Sequence, residues 1–304
     1  MNSRTEINPR CAGHAVDISG DGFGELLDST EALANPDELR LRMERDGYLY
    51  LPQLLIREQV LQARQEVCHR LETAGYLKKD SDSLLVIAAP GKVNAFMPDV
   101  LAKGNRSLHR VLYDGPLMAF WERFLGGAVR HFDYTWFRSV FPGSGTPSHC
   151  DVVYMGRGTP NLYTAWTPIG DIDTELGGLM VLEGSNNHQR LRNSYCKLDV
   201  DAYCANGDGK DAWEKGTGGL LGKNPNQIRR SIGGRWLTRD PFRAGDVLVF
   251  SVFTVHAGLD NQTPDRIRLS SDSRYQLASE PADERWIGES PVAHGPGGKK
   301  AMIC

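Results

Sequence analysis

Residues 245–258, GDVLVFSVFTVHAG, form an apolar stretch rich in β-branched residues, with His256 two residues before its end. Similar segments, separated by Gly, Pro and Asn, stand on both sides of it. They are VRHFDYTWFRSV (129–140), HCDVVYMG (149–156), NLYTAWTPIG (161–170), GGLMVLEGS (177–185) and RIRLSSDSRYQ (266–276). Short strands at such spacing predict a β-sandwich or barrel. The second half of the chain is therefore expected to be mainly β.

The first half of the chain shows helical patterns instead. Asn35 and Pro36 have the residue types of a helix cap and a first helical position. Apolar residues then recur at spacings of three and four, as on an amphipathic helix. Helices are predicted from 36 to about 46, over 57–74 and over 116–125, with a short strand at 48–51. We expect these helices to buttress the β core within a single domain over 1–304.

Two segments depart from this plan. Residues 1–35 are polar and Gly-rich, and are expected to form an N-terminal arm. Residues 188–243 carry eleven Lys and Arg against six Asp and Glu, and are too long for an ordinary connection. This insertion is either a solvated surface segment or a lid over an active site. A basic lid would attract an anionic substrate, and Arg190 and Arg192 are the first candidates because they directly follow a strand.

Composition limits the possible partners. The chain has 304 residues and a net charge of −3, whereas a nucleic-acid binder is expected to be more basic. No stretch is apolar enough for a membrane helix, and the N-terminus has no signal-peptide core. The six cysteines form no CxxC pair and are expected to be reduced thiols. We therefore expect a cytoplasmic protein with neither nucleic-acid nor membrane partners, of unknown oligomeric state.

One triplet has the pattern of a metal site. In a strand, His149 and Asp151 would point to the same face. His131 and Asp133 repeat this spacing, but His149 follows a turn-forming loop, and His256 lies near the end of the apolar stretch quoted above. Two histidines and one carboxylate leave coordination positions open, as in the facial triad of non-haem Fe(II) oxygenases. A structural zinc site would instead close its fourth position.

Longer strings around these residues resemble the phytanoyl-CoA dioxygenase family of Fe(II)/2-oxoglutarate oxygenases. The similar strings are DGYLYLPQLL (46–55), HCD (149–151), WTPIGDIDTELGGLMVLEGSNNH (166–188), FRAGDVLVF (242–250) and HAGLDNQTPDRIRLSSDSRYQ (256–276). The resemblance implies a double-stranded β-helix, or cupin-like jelly roll. It also implies that His149, Asp151 and His256 bind Fe(II), and that 2-oxoglutarate and O₂ are cosubstrates.

The resemblance further implies an arginine that binds the far carboxylate of 2-oxoglutarate, since a guanidinium grips a carboxylate through two hydrogen bonds. Arg266 and Arg268 are both candidates, because they share the same strand parity. The family places an aromatic residue seven positions later, and Tyr275 favours Arg268. Trp166 and Lys92 match positions that contact the cosubstrate.

The predicted activity is oxidation, most simply hydroxylation, of a small molecule with release of succinate and CO₂. Desaturation and ring closure remain open. A carboxylate ligand at Asp151 argues against halogenation, in which related enzymes leave that position vacant. Two other classes also remain open: a non-catalytic jelly-roll module that binds a metal, and a cupin-type enzyme that needs no 2-oxo acid. The substrate cannot be read from the sequence.

Overall fold

The computed structural model describes residues 7–93, 98–206 and 218–303. Its helices are α1 (Pro36–Asp46), α2 (Arg57–Thr73), α3 (Pro98–Leu101), α4 (Arg106–Tyr113), α5 (Gly115–Leu125), α6 (Val152–Met155), α7 (Gln189–Asn193) and α8 (Pro225–Ile232). Its strands are β1 (Arg10–Cys11), β2 (His14–Ala15), β3 (Phe23–Glu25), β4 (Tyr48–Leu51), β5 (Val129–His131), β6 (Trp136–Val140), β7 (Thr146–His149), β8 (Tyr163–Pro168), β9 (Leu179–Leu182), β10 (Ala202–Cys204), β11 (Trp236–Thr238), β12 (Val247–Ser251), β13 (His256–Gly258), β14 (Arg268–Leu277) and β15 (Lys300–Met302).

Two sheets form the body of the protein. The larger has the order β4-β12-β8-β14-β5, with β6 also paired to β14, and the smaller has the order β3-β11-β9-β13-β7. Neighbouring strands are distant in sequence, as in a jelly roll whose chain winds back and forth between two sheets. One apolar cluster joins the facing sides, with Trp166 and Leu248 from the larger sheet and Val181 and Leu237 from the smaller. The predicted double-stranded β-helix is confirmed.

The predicted helices cover the outer face of the larger sheet. Side chains of α1, α2, α4 and α5 share one core with residues of β12 and β14 that point away from the sandwich interior. Asn35 caps α1 by accepting a hydrogen bond from the Glu38 N–H, and Gly47 ends the helix with φ of +82°. All three helices and the strand at 48–51 lie within one residue of their predicted bounds.

Both segments set apart in the sequence contribute to the smaller sheet. β3 lies within residues 1–35 and pairs in parallel with β11, which lies within residues 188–243 and also pairs with β9. Part of each segment therefore belongs to the smaller sheet, and strands of three residues are too short to be recognised from their own sequence. Residues 1–6 and 207–217 of these segments lie outside the described residues.

The end of the chain packs beside the insertion. β15 pairs in parallel with β10, and Cys204 stands opposite Met302 in that pair. Cys204 is disulfide-bonded, whereas Cys11, Cys68, Cys150 and Cys196 are free. The expectation of reduced thiols throughout is therefore wrong at Cys204. Within the described ranges, no helix is long and apolar enough to cross a membrane.

Candidate metal centre

Three buried side chains meet at one end of the jelly roll. One potential ligand atom from each of His149, Asp151 and His256 lies within 4.8 Å of the others. Asp151 Oδ1 is 3.9 Å from His149 Nε2 and 3.8 Å from His256 Nε2. We refer to these three residues as the ligand cluster. Its two imidazoles and one carboxylate oxygen are the donor set of a 2-His-1-carboxylate metal site.

The smaller sheet brings the two histidines together. His149 ends β7 and stands directly opposite His256, the first residue of the antiparallel neighbour β13. Asp151 was predicted to lie on a strand with His149. It instead has helical backbone angles just before α6. The turn into α6 therefore brings its carboxylate back toward the histidines, so strand alternation gave the correct neighbours for a wrong reason.

Backbone carbonyls fix the orientation of both imidazoles. His149 Nδ1 donates to the Pro147 carbonyl at 2.8 Å, and His256 Nδ1 donates to the Thr254 carbonyl at 3.0 Å. Because a carbonyl only accepts, each Nδ1 carries the proton and each Nε2 keeps its lone pair. Burial lowers the pKa of His149 to about 3 and also lowers the pKa of His256. Both rings are therefore neutral near pH 7, as metal ligation requires.

The second oxygen of Asp151 is held by two donors. Thr164 Oγ1 donates to Oδ2 at 2.5 Å and Arg274 Nη2 donates to it at 2.9 Å. Burial alone would raise the pKa of Asp151, but the charge of Arg274, together with the hydrogen bond from Thr164, outweighs burial and holds the pKa below its usual range. The carboxylate is thus ionised, with Oδ1 directed toward the histidines.

Arg268 is a buried guanidinium at the beginning of β14. Its Nη1 donates to the carbonyls of Gly177, Gly178 and Leu259, while its Nε has no partner among the described residues. Burial lowers its pKa to about 10, so it remains charged near pH 7. Arg266 instead lies 3.2 Å from Glu175 and 3.5 Å from Asp173 in a half-exposed ion-pair group. Arg268 therefore has the free capacity to bind an added carboxylate.

Other buried polar atoms between the sheets lack partners. Trp166 lies on β8, which pairs with β14, and packs against Phe242 with ring centroids 4.8 Å apart. Its Nε1 and the Ser270 hydroxyl have no hydrogen-bond partner in the described part of the chain. Ser270 stands two residues beyond Arg268 and so shares its face of β14. Buried groups of this kind are rare unless a ligand or water completes them.

A cavity of about 260 Å³ opens above the ligand cluster. It is lined by Trp136, Arg138, Thr146, His149, Asp151, Tyr154, Met155, Arg274 and His294. His294 comes from the end of the chain, and its Nδ1 donates to Asp201 Oδ2 at 2.9 Å. The aspartate is fully buried and orients the imidazole at the cavity wall. The cavity therefore combines the ligand cluster with side chains from three separate segments.

Several predicted site residues lie elsewhere. Lys92 is exposed, with its ammonium 4.6 Å from the centre of the Tyr76 ring. Arg190 is exposed on α7, and Arg192 lies 3.8 Å from the centre of the Phe253 ring. Arg192 lines a neighbouring cavity of about 420 Å³, which shares Met155 with the first. None of these three basic residues lines the cavity above the ligand cluster.

Three residues at the site were not predicted from the sequence. Nothing in the sequence singled out Arg274, although its even spacing from Arg268 places both on one strand face. His294 and Asp201 were likewise not singled out. No local pattern marks these two, since they meet through packing of segments more than 90 residues apart.

A jelly roll with two histidines and one carboxylate at one end is the architecture of a non-haem iron oxygenase. The chain matches the family model described as phytanoyl-CoA dioxygenase over residues 43–270. It therefore belongs to the phytanoyl-CoA dioxygenase family. It is an Fe(II)/2-oxoglutarate-dependent dioxygenase with the hydroxylase-type oxidoreductase chemistry of that family.

The relatives found include one curated protein with a known reaction. The chain is 27% identical over 271 residues to the 1-deoxypentalenic acid 11-beta-hydroxylase of Streptomyces exfoliatus, with 85% of this chain and 87% of the relative covered.

Two solved structures share the fold. The epimerase SnoN in complex with Fe³⁺, alpha ketoglutarate and nogalamycin RO has a TM-score of 0.52 at 21% identity, over 86% of this chain and 94% of that chain. EctD from S. alaskensis in its apoform has a TM-score of 0.54 at 16% identity, over 98% of this chain and 95% of that chain.

Proposed function

We propose that the protein hydroxylates a small organic molecule at an Fe(II) ion held by His149, Asp151 and His256. The observation that carries this proposal is the ligand cluster itself. Two neutral imidazoles direct Nε2 lone pairs toward one carboxylate oxygen, and among the described residues these three form the one group of three or more side chains that could hold a metal ion. A divalent cation is the partner that fits these three donors.

Arg268 is proposed to bind the far carboxylate of 2-oxoglutarate. Its buried charge has carbonyl partners but no carboxylate, so an anion would complete its hydrogen bonds. Trp166 Nε1 and the Ser270 hydroxyl are further unpartnered groups on the way from Arg268 to the ligand cluster. Lys92 is a weaker candidate for the same cosubstrate, because its ammonium lies over Tyr76 at the surface.

The residues of the chain mainly hold and orient the reactants. Bound iron, 2-oxoglutarate and O₂ supply the oxidising chemistry, with succinate and CO₂ as products. The carbonyls of Pro147 and Thr254 hold the imidazoles in the tautomer that can bind a cation. The apolar cluster around Trp166 excludes water from the 2-oxoglutarate side, and the cavity opposite admits the substrate.

The substrate is proposed to lie between the ligand cluster and the wall that contains His294, Tyr154 and Trp136. His294 at this wall, and Arg138 beside it, which also pairs with Asp272, suit a hydroxyl-bearing or anionic compound. Within the segment 188–243, the part around α7 that lines the neighbouring cavity is proposed to act as a lid, with Arg192, and less directly Arg190, attracting an anionic substrate. A cytoplasmic location stays a prediction.

The hydroxylase relative suggests a first substrate, because its printed name specifies a carboxylic acid. The test is to supply the purified protein with Fe(II), ascorbate, 2-oxoglutarate and 1-deoxypentalenic acid, and to measure succinate and oxidised product. A wider panel of small organic acids follows if that compound is inert. We expect succinate release that requires both Fe(II) and 2-oxoglutarate, including a slow rate without any organic substrate.

The alternatives give different results in the same assay. A non-catalytic module would release no succinate under any condition. A cupin-type enzyme would consume O₂ with a substrate in the absence of 2-oxoglutarate. Either result would exclude the proposed function, whereas inactivity toward one acid would exclude only that compound.

A further inference from the structure

An ion pair links the ligand cluster to β14. Arg274 Nη2 lies 2.9 Å from Asp151 Oδ2, and the side chains of Arg274 and Asp151 are only 2% and 3% exposed. Breaking a buried pair of this kind leaves a charge without compensation. The pair is therefore strong enough to control how the carboxylate is presented.

Several contacts immobilise the guanidinium. Its Cζ lies 4.3 Å from the centre of the Trp136 ring, a cation–π distance. Its Nη1 donates to the Asp272 carbonyl at 2.9 Å, on the same strand. Because Trp136 and Asp272 belong to paired strands, the position of Nη2 is set by the larger sheet.

This arrangement distinguishes the two oxygens of Asp151. Oδ2 accepts hydrogen bonds from Arg274 and Thr164, whereas Oδ1 faces the two histidine Nε2 atoms. A cation bound through both oxygens would have to displace these donors. Metal binding through Oδ1 alone keeps the hydrogen bonds from Arg274 and Thr164 to Oδ2. This mode of binding also leaves more coordination positions on the metal for the cosubstrates.

We propose that Arg274 is a positioning residue that restricts Asp151 to one-oxygen coordination of the metal. Thr164 assists it from β8. The proposal rests on the metal site of the proposed function. The new element is that the larger sheet, which contributes no ligand to the cluster, determines how Asp151 coordinates the metal.

The first test uses Co(II), which replaces Fe(II) without oxidising and whose visible absorption reports its coordination number. We compare wild type, Arg274→Gln, Thr164→Val and Arg266→Gln by calorimetric titration with Co(II) and by absorption. Losing a partner of a metal ligand typically weakens metal binding by about 10- to 100-fold. We expect that loss and an altered spectrum for Arg274→Gln, and a smaller loss for Thr164→Val.

Arg266→Gln is the matched control, since it removes a guanidinium from surface ion pairs. It should stay within about twofold of wild type. A folded Arg274→Gln protein with wild-type Co(II) affinity and an unchanged spectrum would overturn the inference. Wild-type protein that binds no Co(II) would overturn the proposed metal site as well, so the two failures are distinguishable.

A second measurement requires no variant. In a crystal structure of the wild type with Co(II), Asp151 Oδ1 should lie at ligand distance while Oδ2 stays on Arg274 and Thr164. Both oxygens at ligand distance would contradict the inference, even if Arg274→Gln fails to fold.

Discussion

The ligand cluster and the wall opposite it are built by different means. His149 and His256 lie on paired strands, and backbone carbonyls orient both rings. Part of the opposite wall comes from residues 278–303, which contain little regular structure apart from β15. We call this segment the C-terminal wall. The imidazoles of the first region are oriented by backbone carbonyls, whereas the second region adds ion pairs to the pairing of β15 with β10.

The ion pairs of the C-terminal wall converge on Arg285. This buried guanidinium contacts Asp283 at 2.5 Å, Asp201 at 2.6 Å and Asp199 at 3.4 Å. Asp201 also accepts the His294 hydrogen bond, so the wall and the insertion share one carboxylate. The family model ends at residue 270, before this segment begins. The two histidines of the ligand cluster therefore lie in the part of the chain that matches the family model, whereas the C-terminal wall lies beyond it.

The largest effect is expected at the ligand cluster. His256→Ala removes one of three ligands, so Fe(II) affinity should fall by more than about 100-fold, beyond the loss typical of an indirect partner. Succinate release should stop. His131→Ala is the matched control, since His131 belongs to the other H-x-D triplet and stacks on Tyr113. Normal succinate release by His256→Ala would mean that the metal lies elsewhere.

Arg268→Ala is expected to have the next largest effect. Leaving a buried carboxylate unpaired costs about 3–5 kcal/mol, so the KM for 2-oxoglutarate should rise at least about 100-fold. The affinity for Fe(II) should change little. Arg266→Ala serves as the control and should leave the KM nearly unchanged. The reverse order of effects would transfer the role to Arg266.

Asp201→Asn should weaken the C-terminal wall in a pH-dependent way. Burial raises the pKa of Asp201, but His294 and Arg285 outweigh burial and lower it to about 2. A lowered pKa stabilises the fold above the ordinary value near 4, and this stabilisation disappears as the pH falls toward 2. In denaturant unfolding, the free energy of unfolding of Asp201→Asn should be lower than that of wild type by on the order of 2 kcal/mol at pH 7. This difference should shrink below pH 4. A deficit independent of pH would exclude this role of the charge.

His294→Ala should weaken binding of the substrate without weakening binding of the cosubstrate. Losing one hydrogen bond to the substrate should raise its KM by about 10-fold, with the KM for 2-oxoglutarate unchanged. His69→Ala, on the distant α2, provides a control. Equal rises in both KM values would indicate a general disturbance of the site instead of a substrate contact.

Substitutions in the proposed lid are expected to have the smallest effect. Arg192→Ala should raise the substrate KM by only a few-fold, and Arg190→Ala by less, because exposed charges are screened by salt. The Arg192 effect should shrink as ionic strength increases. Unchanged KM values in both variants and at all salt concentrations would exclude an anionic substrate attracted by this lid.

The sequence by itself predicted most of the longer elements and brought His149, Asp151 and His256 together as candidate metal ligands, which the structure places within 4.8 Å of one another. Apolar residues at spacings of three and four predicted α1, α2 and α5, and the residues at the ends of α1 marked its boundaries. These features could be recognised because capping and amphipathic spacing are local properties. The H-x-D triplet and His256 could be paired because each stands at the end of a recognisable strand pattern, and the family resemblance implied the same three ligands. Short strands such as β3 and β11 escaped prediction, since their stability comes from neighbours instead of from their own residues.

Only the tertiary structure decided which side chains surround those ligands. Asp151 reaches the histidines from a helical turn, and Arg274 meets it from a strand 123 residues later. His294 reaches the cavity because Asp201 and Arg285 bind the end of the chain to the insertion. Such contacts join segments that carry no shared pattern. Their energy depends on burial and charge pairing, which arise only when the sheets and the C-terminal wall are packed together.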